Sequence, residues 1–216
     1  MDKQLATFLG RPPQISWRYC DVQLPLDLGY NEILADLHTR EAAINRPDAN
    51  GWNTGEVIQK AQWMRVALVM GRIREQILEL SLSDCVDDLP QRAKWVPRRR
   101  FCGVAQSLIE ARQISENSRR TWDGLPSFLR WHPNSGNSDD SGSLLIPLYL
   151  DFLYNDFLLY RLLLRRSQDG SDALINVSQT ILGAVLELIG KEIASGPGTY
   201  NVGWNVSPTF SRARCL

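Results

Sequence analysis

Residues 144–164 read LLIPLYLDFLYNDFLLYRLLL, and no other stretch constrains the fold of this chain so strongly. The run is long enough to span a bilayer. It also holds Asp151, Asp156 and Arg161, with Asn155 and Pro147 between the apolar residues. Each charge near a bilayer centre would cost roughly 2.5–3.5 kcal/mol, so three of them exclude a simple span. The run therefore predicts a helix over 143–166 in the core of a globular protein. A helix apolar on nearly every face must be surrounded by other elements. Arg165 and Arg166 suit its negative carboxyl end.

Helical spacing recurs on both sides of that run. Residues 171–194 open on Ser-Asp-Ala and carry Leu174, Val177, Ile181, Leu182, Val185, Leu188 and Ile189. The linker 167–170 is short, so these two helices should be antiparallel neighbours. Residues 54–82 predict a first long helix with Thr54 as N-cap. Val57, Ala61, Met64, Leu68 and Gly71 mark one apolar face, and Val66, Met70, Ile73, Ile77 and Leu80 a second. Apolar on two sides, this helix is expected to lie sandwiched. Residues 101–122 give a more polar helix with Val104, Leu108, Ala111 and Ile114 inward, ended by Gly124 and Pro126. Residues 2–9 read as a helix stopped by Gly10 and Pro12-Pro13. Residues 30–44 read as one short helix, ended by Pro47 and the Asn50-Gly51 turn signal. Between them, residues 10–29 form an extended, Pro-punctuated loop whose Trp17 and Tyr19 supply packing area. Residues 134–143 are the clearest loop, and periodicity ends at residue 195. The expectation is an all-α protein, a multi-helix bundle or stacked helical array with a Pro-rich crossing loop. Residues 1–194 form its domain and 195–216 an irregular tail.

Charge and chemistry narrow the function. Lys plus Arg number 24 and Asp plus Glu 24, so no global basic field draws nucleic acid. If the protein acts on DNA, another part or another chain must hold it. The basic patch of Lys94, Arg98, Arg99 and Arg100 around Trp95 reads as a solvated loop. The cysteines Cys20, Cys85, Cys102 and Cys215 are scattered and contain no CxxC pair, which fits reduced thiols inside a cell. No cofactor or metal is called for. Only His38 and His132 exist, neither beside a nucleophile, and no Gly-rich phosphate loop is present. The acidic clusters Asp84, Asp87, Asp88 and Asn155-Asp156 lack the order that terpene cyclases use for magnesium. Leu159-Tyr-Arg-Leu162-Leu163 matches the LxxLL docking pattern, and in so leucine-rich a helix it reads as core.

The run GRPPQISWRYCDVQLP at the start of the crossing loop resembles a loop of the fungal-specific transcription factor domain, the regulatory region of Zn2Cys6 zinc-cluster regulators. The residues that carry the resemblance are Gly10, Arg11, Pro12, Pro13, Ser16, Tyr19, Cys20, Asp21 and Pro25. The long helix around Ala61-Gln62-Trp63-Met64 and the leucine-rich block are similar to the same family. The resemblance covers residues 2–194. It implies a non-enzymatic, transcription-regulatory domain of the nucleus, for ligand sensing or protein interaction. The family's zinc cluster is absent, so no direct specific DNA binding is expected. The family's further helices before the loop and after residue 194 are also absent, which implies a partial domain. A protein partner, either self or a larger regulator, and a small apolar ligand are the partners implied; no membrane is. Uncovered apolar area is expected on the leucine-rich helix. The alternative is a stand-alone helical protein that binds or rearranges an apolar metabolite in fungal secondary metabolism.

Overall fold

The computed structural model describes residues 2–53, 60–82, 104–132, 141–167 and 170–194. Among them lie seven α-helices and no strand: α1 (Asp2–Leu9), α2 (Tyr30–Leu34), α3 (Leu37–Ile44), α4 (Lys60–Leu82), α5 (Val104–Asp123), α6 (Ser141–Ser167) and α7 (Ser171–Ala194). Single 3-10 turns at Trp17–Tyr19 and Ser127–Leu129 shape two connections. The all-α expectation holds. Thr54, Val57, the acidic residues Asp84, Asp87 and Asp88, the basic patch, most of the 134–143 loop and the 195–216 tail lie outside the described residues.

The leucine-rich helix α6 is the hub. It packs against α4, α5 and α7, while α4 and α5 pack on each other and α1 rests on α4. Ile146, Leu148, Leu153, Leu159 and Leu162 are buried, so the LxxLL pattern serves the core. From α4 come Val66, Met70, Ile73, Ile77 and Leu80, all buried. The expected second apolar stripe differs: Met64 and Leu68 are exposed, and the other covered side of α4 is polar, with Gln62, Arg65 and Glu75 buried against α1 and the 10–29 loop. At the α5–α6 junction Trp122 stacks on Phe152 with ring centroids 4.8 Å apart. Tyr149 leans on both Trp122, at 5.6 Å, and Trp131, at 5.1 Å. The turn Ser127–Leu129 delivers Leu129 and Trp131 into this cluster, where both are buried. Aromatic pairs of this geometry add to the stabilisation that area burial alone gives.

Polar residues inside α6 have a structural use. Arg74 of α4 is buried, and its Nε donates to Asn155 Oδ1 at 2.9 Å. Its Nη2 donates to the Asp151 carboxylate at 3.1 Å and to the Asp151 carbonyl at 3.2 Å. Asn155 Nδ2 in turn donates to the Met70 carbonyl at 3.1 Å. A buried charge is tolerated when it is paired and hydrogen-bonded, and this clasp fixes the register of α4 on α6.

Helix ends follow local chemistry. Gly10, at φ 62°, ends α1, and the Arg11 amide donates back to the Ala6 carbonyl at 3.2 Å in a Schellman-type closure. The expected single helix over 30–44 is two helices. Asp36 breaks it, because its carboxylate accepts from the Thr39 amide at 3.0 Å and starts α3 afresh.

Candidate functional site: a crossing loop and an open helix face

The loop that carries the resemblance is strapped across α4 at both ends. At the first strap, Glu75 accepts the Trp17 amide on both carboxylate oxygens, at 3.0 and 3.1 Å. Lys3 Nζ pairs with the same carboxylate at 2.7 Å and also donates to the Ile15 carbonyl. Burial raises the Glu75 carboxyl pKa, but hydrogen bonds from Lys3, Ser16 and Trp17 outweigh it and hold the group below its ordinary value. Arg18 adds an ion pair to Glu79 at 2.6 Å. At the second strap, Arg65 Nη1 donates to the Pro25 carbonyl at 2.8 Å and Nη2 to the Asn50 carbonyl at 2.7 Å. Buried Asp27 accepts the Asn53 amide at 2.7 Å and Gln62 Nε2 at 2.9 Å.

Within this frame the residues of the resemblance have plain roles. Gly10 closes α1, and Arg11 follows it into solvent with Pro12 exposed and Pro13 half-buried. Ser16 caps the 3-10 turn by accepting the Arg18 amide at 3.3 Å. Cys20 is a half-buried free thiol whose Sγ donates to the Ser16 carbonyl at 3.4 Å. Asp21 is exposed, and Pro25 offers its carbonyl to Arg65. Tyr19 corrects an expectation: it is 90 % exposed and contributes no packing area. Trp17 does the packing, because the Arg72 guanidinium lies on its ring at 3.2 Å.

Trp17 and Arg72 border an open groove of about 360 Å³, with Arg18, Gln76, Asn117 and Thr121 around it. A second recess of about 190 Å³ lies by Trp52 and Phe128. Sequence reasoning misses the side chains that hold the loop: Arg65, Arg72, Glu75 and Glu79. Their spacing along α4 is the available signal, a charged stripe beside the apolar one. His38 and His132 are both exposed and far apart in sequence, and no metal-ligating cluster occurs among the described residues.

The last helix shows a different surface. One seam of α7, formed by Leu174, Val177, Ile181, Ala184 and Leu188, joins the core, mostly against α6. A second seam, Ile175, Leu182, Leu186, Ile189 and Ile193, is between 43 and 73 % exposed. At about 100° per residue the two seams lie roughly 130° apart around the helix. Two opposed apolar faces also explain why residues 171–191 have the length and mean hydropathy, 1.5, of a membrane span. The expectation of uncovered area on the leucine-rich helix is thereby corrected. Among the described residues of α6, Tyr154 is the only exposed large hydrophobic side chain, because α4, α5 and α7 cover the rest. An open apolar seam instead runs along α7, and residues 5–44 expose further apolar side chains, among them Phe8, Leu34 and Leu37.

No family model, curated protein or solved structure matches the chain.

Proposed function

We propose that this chain is a non-enzymatic, all-helical regulatory module that works in the nucleus by docking to protein, as its resemblance to the fungal-specific transcription factor domain implies. The carrying observation is the open seam of α7: five apolar residues at heptad spacing, on the face opposite the core, in a helix already packed along its other side. A helix apolar on two sides is built to lie between two partners. An apolar patch of this continuity on a soluble protein marks an interaction surface. Another amphipathic helix is the occupant that such a seam fits, by insertion of side chains at i, i+3, i+4 and i+7. The crossing loop supports the reading in another way. Trp17, Arg18, Pro25 and Asp27 hold 10–29 on α4, which fixes one side of the module.

A second reading, capture of a small molecule, is favoured by the Trp17–Arg72 groove, whose cation and aromatic face would suit a planar ligand.

The test is a tethered reporter. The full chain is fused to an unrelated DNA-binding domain, and transcription from its operator is compared with that of the L182Q/L186Q variant. The module reading expects a change in transcription that the variant abolishes. Transcription that ignores the fusion, or that the variant leaves unchanged, refutes it.

A further inference from the structure

We propose that the occupant of the open α7 seam is a second copy of this chain, bound as an antiparallel α7–α7 pair. The inference rests on the reading of that seam as a docking face and adds the identity and orientation of the partner.

The spacing of the seam is its own mirror image. Positions 175, 179, 182, 186, 189 and 193 are symmetric about residue 184. Turning α7 over about a two-fold axis at that level sets Ile175 against Ile193 of the second copy. Leu182 then meets Leu186, and Gln179 meets Ile189. A two-fold interface requires such self-complementarity, since each patch must serve as both lock and key.

Charge leads to the same partner. From Ala173 to Leu186 the helix carries no charged residue. Lys191 and Glu187 are already paired with each other, at 3.3 Å. A face that meets its own copy must avoid like charge against like charge, and this one does so by being neutral. It also lacks the complementary charge by which a foreign partner is usually steered and selected.

Area and shape agree. The five seam residues expose roughly 500–600 Å² on one copy, so a pair buries at most about 1,000–1,200 Å², the size of a weak, reversible interface. Gly183 and Gly190, seven residues apart beside the seam, would each carry a Cβ into open space. Neither glycine is required by packing among the described residues. In the pair they lower the ridge beside Leu182 and Ile189 and let two backbones approach closely.

The experiment combines mass and orientation. Sedimentation equilibrium of the full chain over a roughly hundredfold concentration series should carry the mass from 24.5 kDa toward twice that value. L182Q/L186Q, with circular dichroism unchanged, should weaken the association about tenfold or more. Orientation comes from disulfide trapping, with the four native cysteines replaced by serine. A mixture of I175C and I193C chains should trap a mixed dimer, while neither alone traps itself. A chain that stays monomeric, or a dimer indifferent to L182Q/L186Q, overturns the proposal. So does I175C trapping itself, which would mean parallel pairing. Uptake by phosphatidylcholine vesicles that L182Q/L186Q abolishes overturns it in favour of a lipid surface. If the proposal fails while the tethered reporter still responds to L182Q/L186Q, the docking reading stands with a foreign partner. If both fail, the seam is not a docking face.

Discussion

Replacing Asp156 by asparagine should stabilise the protein, and more so as the pH rises. Asp156 is buried on α6, with Oδ1 lacking a hydrogen-bond partner among the described residues. Burial pushes its carboxyl pKa up to about 6 from 3.8, and the nearby Arg119 offsets only part of that. Between pH 3.8 and about 6 the folded state therefore holds a proton that the unfolded chain has released. The contribution of this group to folding stability is highest below pH 3.8, falls as the pH climbs to about 6, and is level beyond. At about 1.4 kcal/mol for each tenfold change, the ionised carboxylate costs the fold about 3 kcal/mol at neutral pH. The amide that replaces it would be neutral at every pH. D156N should thus gain about 1–3 kcal/mol near pH 7 and almost nothing at about pH 4. Urea denaturation of both proteins at intervals across that range reads the difference directly. The difference also cancels the acid-side losses from Glu75 and Glu32, whose depressed carboxyl pKa values make stability fall as the pH drops below 4.5. A constant gap between the two proteins, or a gap that closes toward neutral pH, would refute the reasoning.

The other perturbations test the two sets of polar contacts that position α4. R74A removes a buried guanidinium from Asn155 and Asp151, and should cost about 3–5 kcal/mol in chemical denaturation. A loss below about 1 kcal/mol would show that the clasp is not dry. E75Q removes the charge that receives Trp17 and Lys3; it should cost about 1–2 kcal/mol. It should also speed hydrogen exchange at residues 15–20 while leaving α6 unchanged. Uniform exchange across the chain would place Glu75 in the global fold rather than in the strap.

The helices are legible in the sequence because periodicity and stop signals agree. Gly10, the Gly124–Pro126 segment and the Ser171 start each mark a boundary that the structure keeps within a few residues. The break between α2 and α3 is not legible as apolar pattern. It depends on the Asp36 carboxylate competing for the Thr39 amide, a local hydrogen bond that outweighs continuation of the helix. α4 does lie between neighbours, but the side away from the core is closed by a polar strap and not by its second apolar stripe. In α4 the second stripe, Met64 and Leu68, faces outward, whereas α7 carries two full seams on opposite sides. A periodic pattern supplies the stripes of a helix; only its neighbours decide which stripe is closed. The strap residues Arg65, Arg72, Glu75 and Glu79 are hidden from such a pattern because charge on a helix ordinarily means solvent, and here it binds a loop.

The central claim is that α7 closes one seam in the fold and offers the other to a protein. Site-specific photo-crosslinking in cells tests it most directly, with a photoreactive residue placed at Leu182, Leu186 or Ile193, and at the exposed Arg112 of α5 as control. Covalent adducts to protein should form at the three seam positions and not at Arg112. Adducts absent from all three seam positions, or equally abundant at Arg112, would contradict it.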